Sequence, residues 1–513
     1  MTNGNNKMKT HQLANNLKHN GQRALVFQGG GSLGAYEAGV FKALYEKISR
    51  IDEENGEKGR PLFDIVAGTS IGAINAAILV SHVAENKTWK GSPEKLDAFW
   101  DYVSVESLAD ITPGFKDWWD YWHNINPTVA SGEAARRYYS TKQFELTGVS
   151  NVFLPFPPLA DAKFMDISNT WFRYDKDPLK ISIEKFAKFP IATNFGEDYQ
   201  KLPRLLLVSV DVQEGATVTF DSYPKKDGSR KTEYGVSGLE SGDNVEEEEE
   251  KGYSHMIRYD DGIKSDYVVA SASVPVNYDY TTIEEVHSKS TGDTSRYSSN
   301  ENYIHNNRKR YFWDGGLLSN TPLREVINAH QDYWVNVKGA KNSVPNLEVY
   351  VINLHPAKQN YIPLDHDGVV SRNQDITFND RTNHDVKVSR IMADYINMVR
   401  HLIEIAKEHG VSNNIIDNFL DEPAQSKNRT KKPRKFRDLI EGQFSIDNVV
   451  RIERKNDPNT ISNKIFDFSY GTLKHLRQAG YRDAINHFDR ETADKRPHVE
   501  DASTIKYSPK LQK

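Results

Sequence analysis

Twice within its first eighty residues the chain runs a short apolar segment into glycines and then into a stretch of small, apolar residues. First comes Arg23-Ala24-Leu25-Val26-Phe27, then Gln28-Gly29-Gly30-Gly31-Ser32-Leu33-Gly34, then Ala35, Ala38, Gly39, Phe41, Ala43 and Leu44 at roughly helical spacing. About forty residues after the first glycines, Phe63-Asp64-Ile65-Val66-Ala67 leads into Gly68-Thr69-Ser70-Ile71-Gly72, and Ile71 to Val80 is almost wholly apolar. Short apolar runs read as strands buried on both faces, and apolar residues at three- and four-residue spacing read as helix. Two strand–turn–helix units of a parallel α/β sheet are therefore expected, with the first helix over residues 32 to 48.

Such turns put chemistry at the strand ends. The first N–H groups of a helix lack an intrahelical acceptor, and adjacent glycines let a ligand approach them with no side chain in the way. Gly68-Thr69-Ser70-Ile71-Gly72 has the G-x-S-x-G form of a nucleophile elbow, in which a serine sits on a tight strand-to-helix turn with its hydroxyl exposed. An anion cradle beside a nucleophile is what acyl transfer most needs. Ser70 is the candidate nucleophile, and Gly29, Gly30 and Gly31 are the candidate oxyanion donors. An isolated G-x-S-x-G is at least as often a plain turn, but the strand and helix around this one favour the chemistry.

Ser70 needs a base. Tyr311-Phe312-Trp313-Asp314-Gly315-Gly316 places an acid at the end of an aromatic strand, before two glycines. There Asp314 can accept the serine proton, or it can use its carboxylate in an Asx turn, and spacing does not choose between them. Among the sixteen histidines none shows a comparable setting. His82, His123, His255, His287 and His305 lie in polar or helical surroundings, so no Ser-His-Asp triad assembles from the sequence.

Taken in order, Gly29-Gly30-Gly31-Ser32-Leu33-Gly34, Gly68-Thr69-Ser70-Ile71-Gly72 and Asp314-Gly315-Gly316 resemble the patatin-like phospholipase family. Ala270-Ser271-Ala272-Ser273-Val274-Pro275 resembles that family's small-residue stretch before a proline. The resemblance spans roughly residues 22 to 355. It implies a three-layer α/β/α sheet carrying a serine–aspartate dyad without histidine. By position, Ser70 is then the nucleophile, Asp314 the base, and Gly29, Gly30 and Gly31 the oxyanion loop. The implied activity is hydrolysis of lipid carboxylic esters through an acyl-serine, with no cofactor. Leu33 departs from the family, many of whose members carry Arg or Lys there; this bears on phosphate preference more than on hydrolysis.

Three other readings compete. A histidine-assisted α/β-hydrolase shares the elbow but needs a late histidine and usually a later serine. A non-catalytic lipid-binding or scaffold protein would have no need of Ser70, Asp314 and the glycines together. A dinucleotide fingerprint can be threaded through Gly29 to Gly34, but no acidic residue ends a second strand about twenty residues on.

A chain of 513 residues exceeds one small core, so two domains or one large domain with insertions is expected. The expected division is a disordered tail over 1–21, a catalytic domain over 22–355 with insertions at about 89–165 and 221–310, and a mainly helical region over 380–513. A net charge of −5 argues against nucleic-acid binding. Zero cysteines exclude disulfides and thiol chemistry, and no H-E-x-x-H or clustered ligand spacing calls for a metal. No signal-peptide core and no eighteen-residue apolar span is present. The expectation is a soluble, cytoplasmic protein, with any membrane contact peripheral; export without a cleavable signal would leave no mark here. The expected partner is a lipid substrate, and the sequence is silent on oligomeric state.

Elsewhere, residues 89 to 122 hold five of the eight tryptophans, read as the aromatic core of an inserted subdomain slightly ahead of a lipid-facing cap. The apolar loop from Val152 to Leu159 borders an acyl channel or merely packs. Leu205 to Asp211 reads as a buried strand with Thr217 to Phe220 as its hairpin partner. Glu246 to Glu250, in the polar stretch after Asp221, reads as a solvated loop, and Ser288 to Arg310 as a second polar insertion. Leu347 to Leu354 is expected to be the last strand of the sheet. Ile391, Tyr395, Met398, Leu402 and Ile405 predict an amphipathic helix docked on the catalytic domain, and the basic run from Lys427 to Arg437 a linker.

Overall fold

Ten strands form one mixed sheet: β1 (Gly21–Phe27), β2 (Ile65–Thr69), β3 (Arg204–Asp211), β4 (Ala216–Asp221), β5 (Lys231–Tyr234), β6 (Tyr253–Arg258), β7 (Thr281–Ser290), β8 (Ile304–Asp314), β9 (Asn346–Asn353) and β10 (Ile446–Glu453). The computed structural model describes residues 21–494 apart from 58, 157–171, 197–201, 236–252, 291–303, 342, 428–432 and 456. The order across the sheet is β10-β9-β1-β2-β3-β8-β7-β6-β5, with β4 hairpinned onto β3. From β10 to β3 the strands run parallel. From β3 outward every pairing is antiparallel.

Parallel strands are covered on both faces by the helices that connect them, and these are. Helix α1 (Gly34–Glu54) joins β1 to β2, and α2 (Ile71–Asn86) follows β2. Side chains alternate along a strand, so β1 serves two cores. Leu25 and Phe27 join the larger one with residues of α1 and α2, while Ala24 and Val26 join a smaller one with Leu323, Val326 and Val386. Each fully buried Leu or Phe contributes roughly 1.5–3 kcal/mol, which is why these apolar runs fix the sheet's centre.

The C-terminal region is mainly helical, yet it also supplies the edge of the sheet. Residues 446–453 pair in parallel with β9, so β9 is not the last strand as the sequence suggested. The long helix α3 (Tyr470–Asp494) then lies along α1. The two backbones approach at glycines: a Cβ on Gly39 would fall 1.8 Å from Arg477 O, and one on Gly480 2.1 Å from Tyr36 O.

Several other expectations change. Helix α1 starts at Gly34 after a short 3-10 turn and runs to Glu54. Part of the second polar stretch is strand, since β7 and β8 pair across it; residues 291–303 lie outside the described residues. The acidic run at 246–250, the tail before residue 21 and residues 428–432 also lie outside them. That basic run is not simple linker: Pro423–Lys427, at its start, and Pro433–Lys435, within it, pair antiparallel. The tryptophans divide. Trp100 is fully buried and Trp89 packs on the core, but the helix Phe115–Ile125 buries none of its residues, and Trp118 is 57% exposed. The helix Asn383–Glu408 likewise buries Val386 and Ile396 but leaves the predicted docking face, from Ile391 to Ile405, open. Among the described residues no helix is long and apolar enough to cross a membrane.

Candidate active site

Strand ends converge above the parallel half of the sheet, where open α/β sheets offer a crevice for ligands. Strands β1 and β2 end there at Phe27 and Thr69, and β8 arrives antiparallel along β3, setting Asp314 opposite Ser209. Gly29, Gly30, Gly31, Ser70 and Asp314 line one cavity of about 140 Å³, which is otherwise largely apolar. All five residues singled out by sequence are thus brought together.

Ser70 has φ 58° and ψ −126°. Side-chain-bearing residues rarely adopt this conformation, and holding one there costs of order 1–3 kcal/mol. The restraint is visible. The Ser70 N–H donates to Ser271 Oγ at 3.0 Å, and the buried Ser271 hydroxyl donates to Val208 O at 2.5 Å. Ser271 belongs to the small-residue stretch before Pro275. The Ser70 carbonyl accepts from the N–H groups of Ala73 and Ile74, so the positive end of α2 begins at this residue.

The two roles open to Asp314 concern its two oxygens. Oδ1 accepts the Gly316 N–H at 2.7 Å, the Asx-turn arrangement. Oδ2 is buried and makes no well-formed hydrogen bond, although the Ser70 hydroxyl is close enough to favour the carboxylate. Catalytic pairs often stand loose in this way before substrate binds. Burial pushes the Asp314 pKa up to about 7, against the opposing pull of the nearby Ser70 hydroxyl and the Gly316 N–H. The Asp314 N–H donates to Ser273 O at 2.9 Å, pinning the strand end to the small-residue stretch.

The glycine loop needs one correction. The Gly29 N–H donates to Asn320 O at 3.2 Å, so it is turned from the cavity and is not a free anion donor. The N–H groups of Gly30 and Gly31 meet no acceptor among the described residues. Gly31 has φ 56°, and a Cβ there would lie 2.5 Å from Ile465 O, so only glycine fits.

Side chains that the sequence did not single out hold this loop. The Gly29 carbonyl accepts from Asn320 Nδ2 and from His355 Nε2, each at 3.2 Å. His355 Nδ1 lies 3.1 Å from Asp375 Oδ1, and Lys464 Nζ donates to Asp375 Oδ2 at 2.7 Å. Burial lowers the His355 pKa against the pull of Asp375. Burial, with the nearby Arg454 cation, also lowers Lys464 to about 8, while Asp375 opposes. The Ser32 hydroxyl donates to Lys464 O at 2.8 Å. Gln28 Oε1 accepts from the N–H groups of Leu354 and His355, and the buried Glu37 carboxyl accepts from the Gln28 N–H at 2.8 Å. His355 lines the cavity, but its two ring nitrogens are engaged by Gly29 and Asp375. Its place just beyond β9, beside β1, was the one signal for it; nothing in the spacing points to Asp375 or Lys464.

A family model described as patatin-like phospholipase matches residues 25–327, more than half of the chain. His355, Asp375 and Lys464 fall after the matched part. Among solved structures, VipD from Legionella pneumophila is similar at 12% identity and a TM-score of 0.30, over 91% of this chain and 67% of that one. A comparison with curated proteins finds no match.

Proposed function

From the premise that this chain belongs to the patatin-like phospholipase family, we propose that it hydrolyses carboxylic esters of lipids with Ser70 as nucleophile and Asp314 as base. The observation that carries this reading is one juxtaposition. A serine held at φ 58° shares an apolar cavity with a buried carboxyl near neutrality and with two glycine N–H groups that meet no acceptor among the described residues.

In the proposed sequence Asp314 takes the Ser70 proton as Oγ bonds to the ester carbonyl carbon. The carbonyl oxygen takes up the negative charge among the Gly30 and Gly31 N–H groups. The bond to the alcohol then breaks, and the alcohol leaves with the proton from Asp314. Water attacks the acyl-serine, passing a proton to Asp314. The fatty acid departs, and the proton returns to Ser70. A base with a pKa near the working pH balances being ionised against being able to take a proton. Donors fixed before the charge appears are worth about a hundredfold or more each.

Ser70→Ala should abolish turnover of a p-nitrophenyl acyl ester and labelling by a fluorophosphonate, with an unchanged circular-dichroism spectrum. Undiminished turnover in the folded variant overturns the assignment.

A further inference from the structure

We propose that the segment Lys464–Phe468 forms the wall that limits how much of an acyl chain the cavity accepts, and that the limit is about six carbons. This rests on the lipid-hydrolase reading of the same site. The segment lies well beyond residue 327, where the match to the family model ends.

Ile465, Phe466 and Phe468 line the cavity together with Phe153 and Phe99. Their rings are fitted to each other. Phe466 meets Phe153 edge-on at 5.7 Å and lies 6.0 Å from the Tyr174 ring, and Phe468 meets Phe153 at 6.1 Å. The backbone is tied at both ends. Lys464 O accepts the Ser32 hydroxyl, and Phe468 O accepts the Val105 N–H at 3.0 Å. Beside them, Ile465 O lies 2.5 Å from where a Gly31 Cβ would be. The wall therefore cannot retreat without disturbing the glycine loop.

The volume sets the number. An apolar cavity of about 150 Å³ takes up benzene, a six-carbon ligand. The 140 Å³ here has the same capacity. Carbons beyond that must lie at the mouth, where Leu317 lines the cavity while remaining half exposed, and where the neighbouring Val276 and Leu318 are exposed. Buried methylenes each raise binding about fourfold, and carbons lying at the mouth add much less.

The test is kcat/KM for p-nitrophenyl esters of two to twelve carbons, kept below their micellar concentrations. The wild-type values should climb about fourfold per methylene to about six carbons and then flatten. Phe466→Ala should move that break upward by about two carbons, and the milder Phe466→Leu should move it the same way if the alanine variant fails to fold. A wild-type profile with no break, or a break unmoved in a folded Phe466 variant, overturns the wall. Wild-type protein that hydrolyses none of the esters overturns the hydrolase reading, and this inference with it.

Discussion

Replacing Asp314 with asparagine should abolish turnover and yet make the folded protein harder to unfold at alkaline pH. Burial is the largest influence on this carboxyl and raises its pKa from 3.8 to about 7, while the nearby Ser70 hydroxyl and the Gly316 N–H pull the other way. An acid whose pKa is higher folded than unfolded binds more protons in the native state between those two values. Stability therefore falls as pH rises through that window. At 1.36 kcal/mol per pH unit, the ionised Asp314 costs about 4 kcal/mol at pH 8. Asparagine stays neutral, keeps an oxygen for the Gly316 N–H and sets an amide near the Ser70 hydroxyl. Asp314→Asn should gain up to about 4 kcal/mol over wild type at about pH 8, roughly 1–2 kcal/mol at about pH 5, and less than about 1 kcal/mol at about pH 4. Urea unfolding of both proteins at each pH measures the difference. Two spectroscopic probes must give coincident transitions, because a chain of this length need not unfold in one step. A gain that does not change with pH, or a variant less stable than wild type at pH 8, would refute the claim that Asp314 is a carboxyl held against its own charge.

The same carboxyl sets the pH profile: kcat/KM should rise through an apparent pKa of about 7 as Asp314 ionises, and a profile flat from about pH 5 to 9 would exclude it as the base. Gly31→Ala should lower kcat/KM by about a hundredfold or more while fluorophosphonate still reaches Ser70, because a Cβ 2.5 Å from Ile465 O forces the donor loop to shift. Lys464→Met should lower the unfolding free energy by about 3–5 kcal/mol, since it leaves the buried Asp375 without its cation; a thermal melt that matches wild type would show the pair to be expendable.

How far the sequence carried depended on where each contact partner lies. The elbow was legible because its strand, turn and helix occupy neighbouring residues, and the glycines of both loops mark the sharp turns directly. Asp314 was legible as an acid at a strand end, although only the structure separates the oxygen that holds Gly316 from the one left near Ser70. Periodicity identified apolar faces correctly in Asn383–Glu408 but could not say whether anything lies opposite them, and there the described residues leave most of that face open. The edge strand Ile446–Glu453 was missed for a physical reason: it is half exposed and carries Asp447, Asn448, Arg451 and Glu453 among its apolar residues, so it lacks the continuous apolar run of the central strands.

The two halves of the site are therefore specified in different ways. The proposed nucleophile is set largely by local geometry: a strand end, a left-handed serine and a helix start. The cradle cannot be, because three consecutive glycines carry little conformational preference of their own. An oxyanion hole works only if its donors stand in place before the charge develops. The order that the glycines lack is supplied from far along the chain. Asn320 and His355 grip the Gly29 carbonyl, and Lys464, 432 residues beyond Ser32, receives its hydroxyl. The side chains at 355, 375 and 464 thus brace the proposed donor loop although they need touch no substrate. Three glycines in a row are tolerable here because the last third of the chain closes over them.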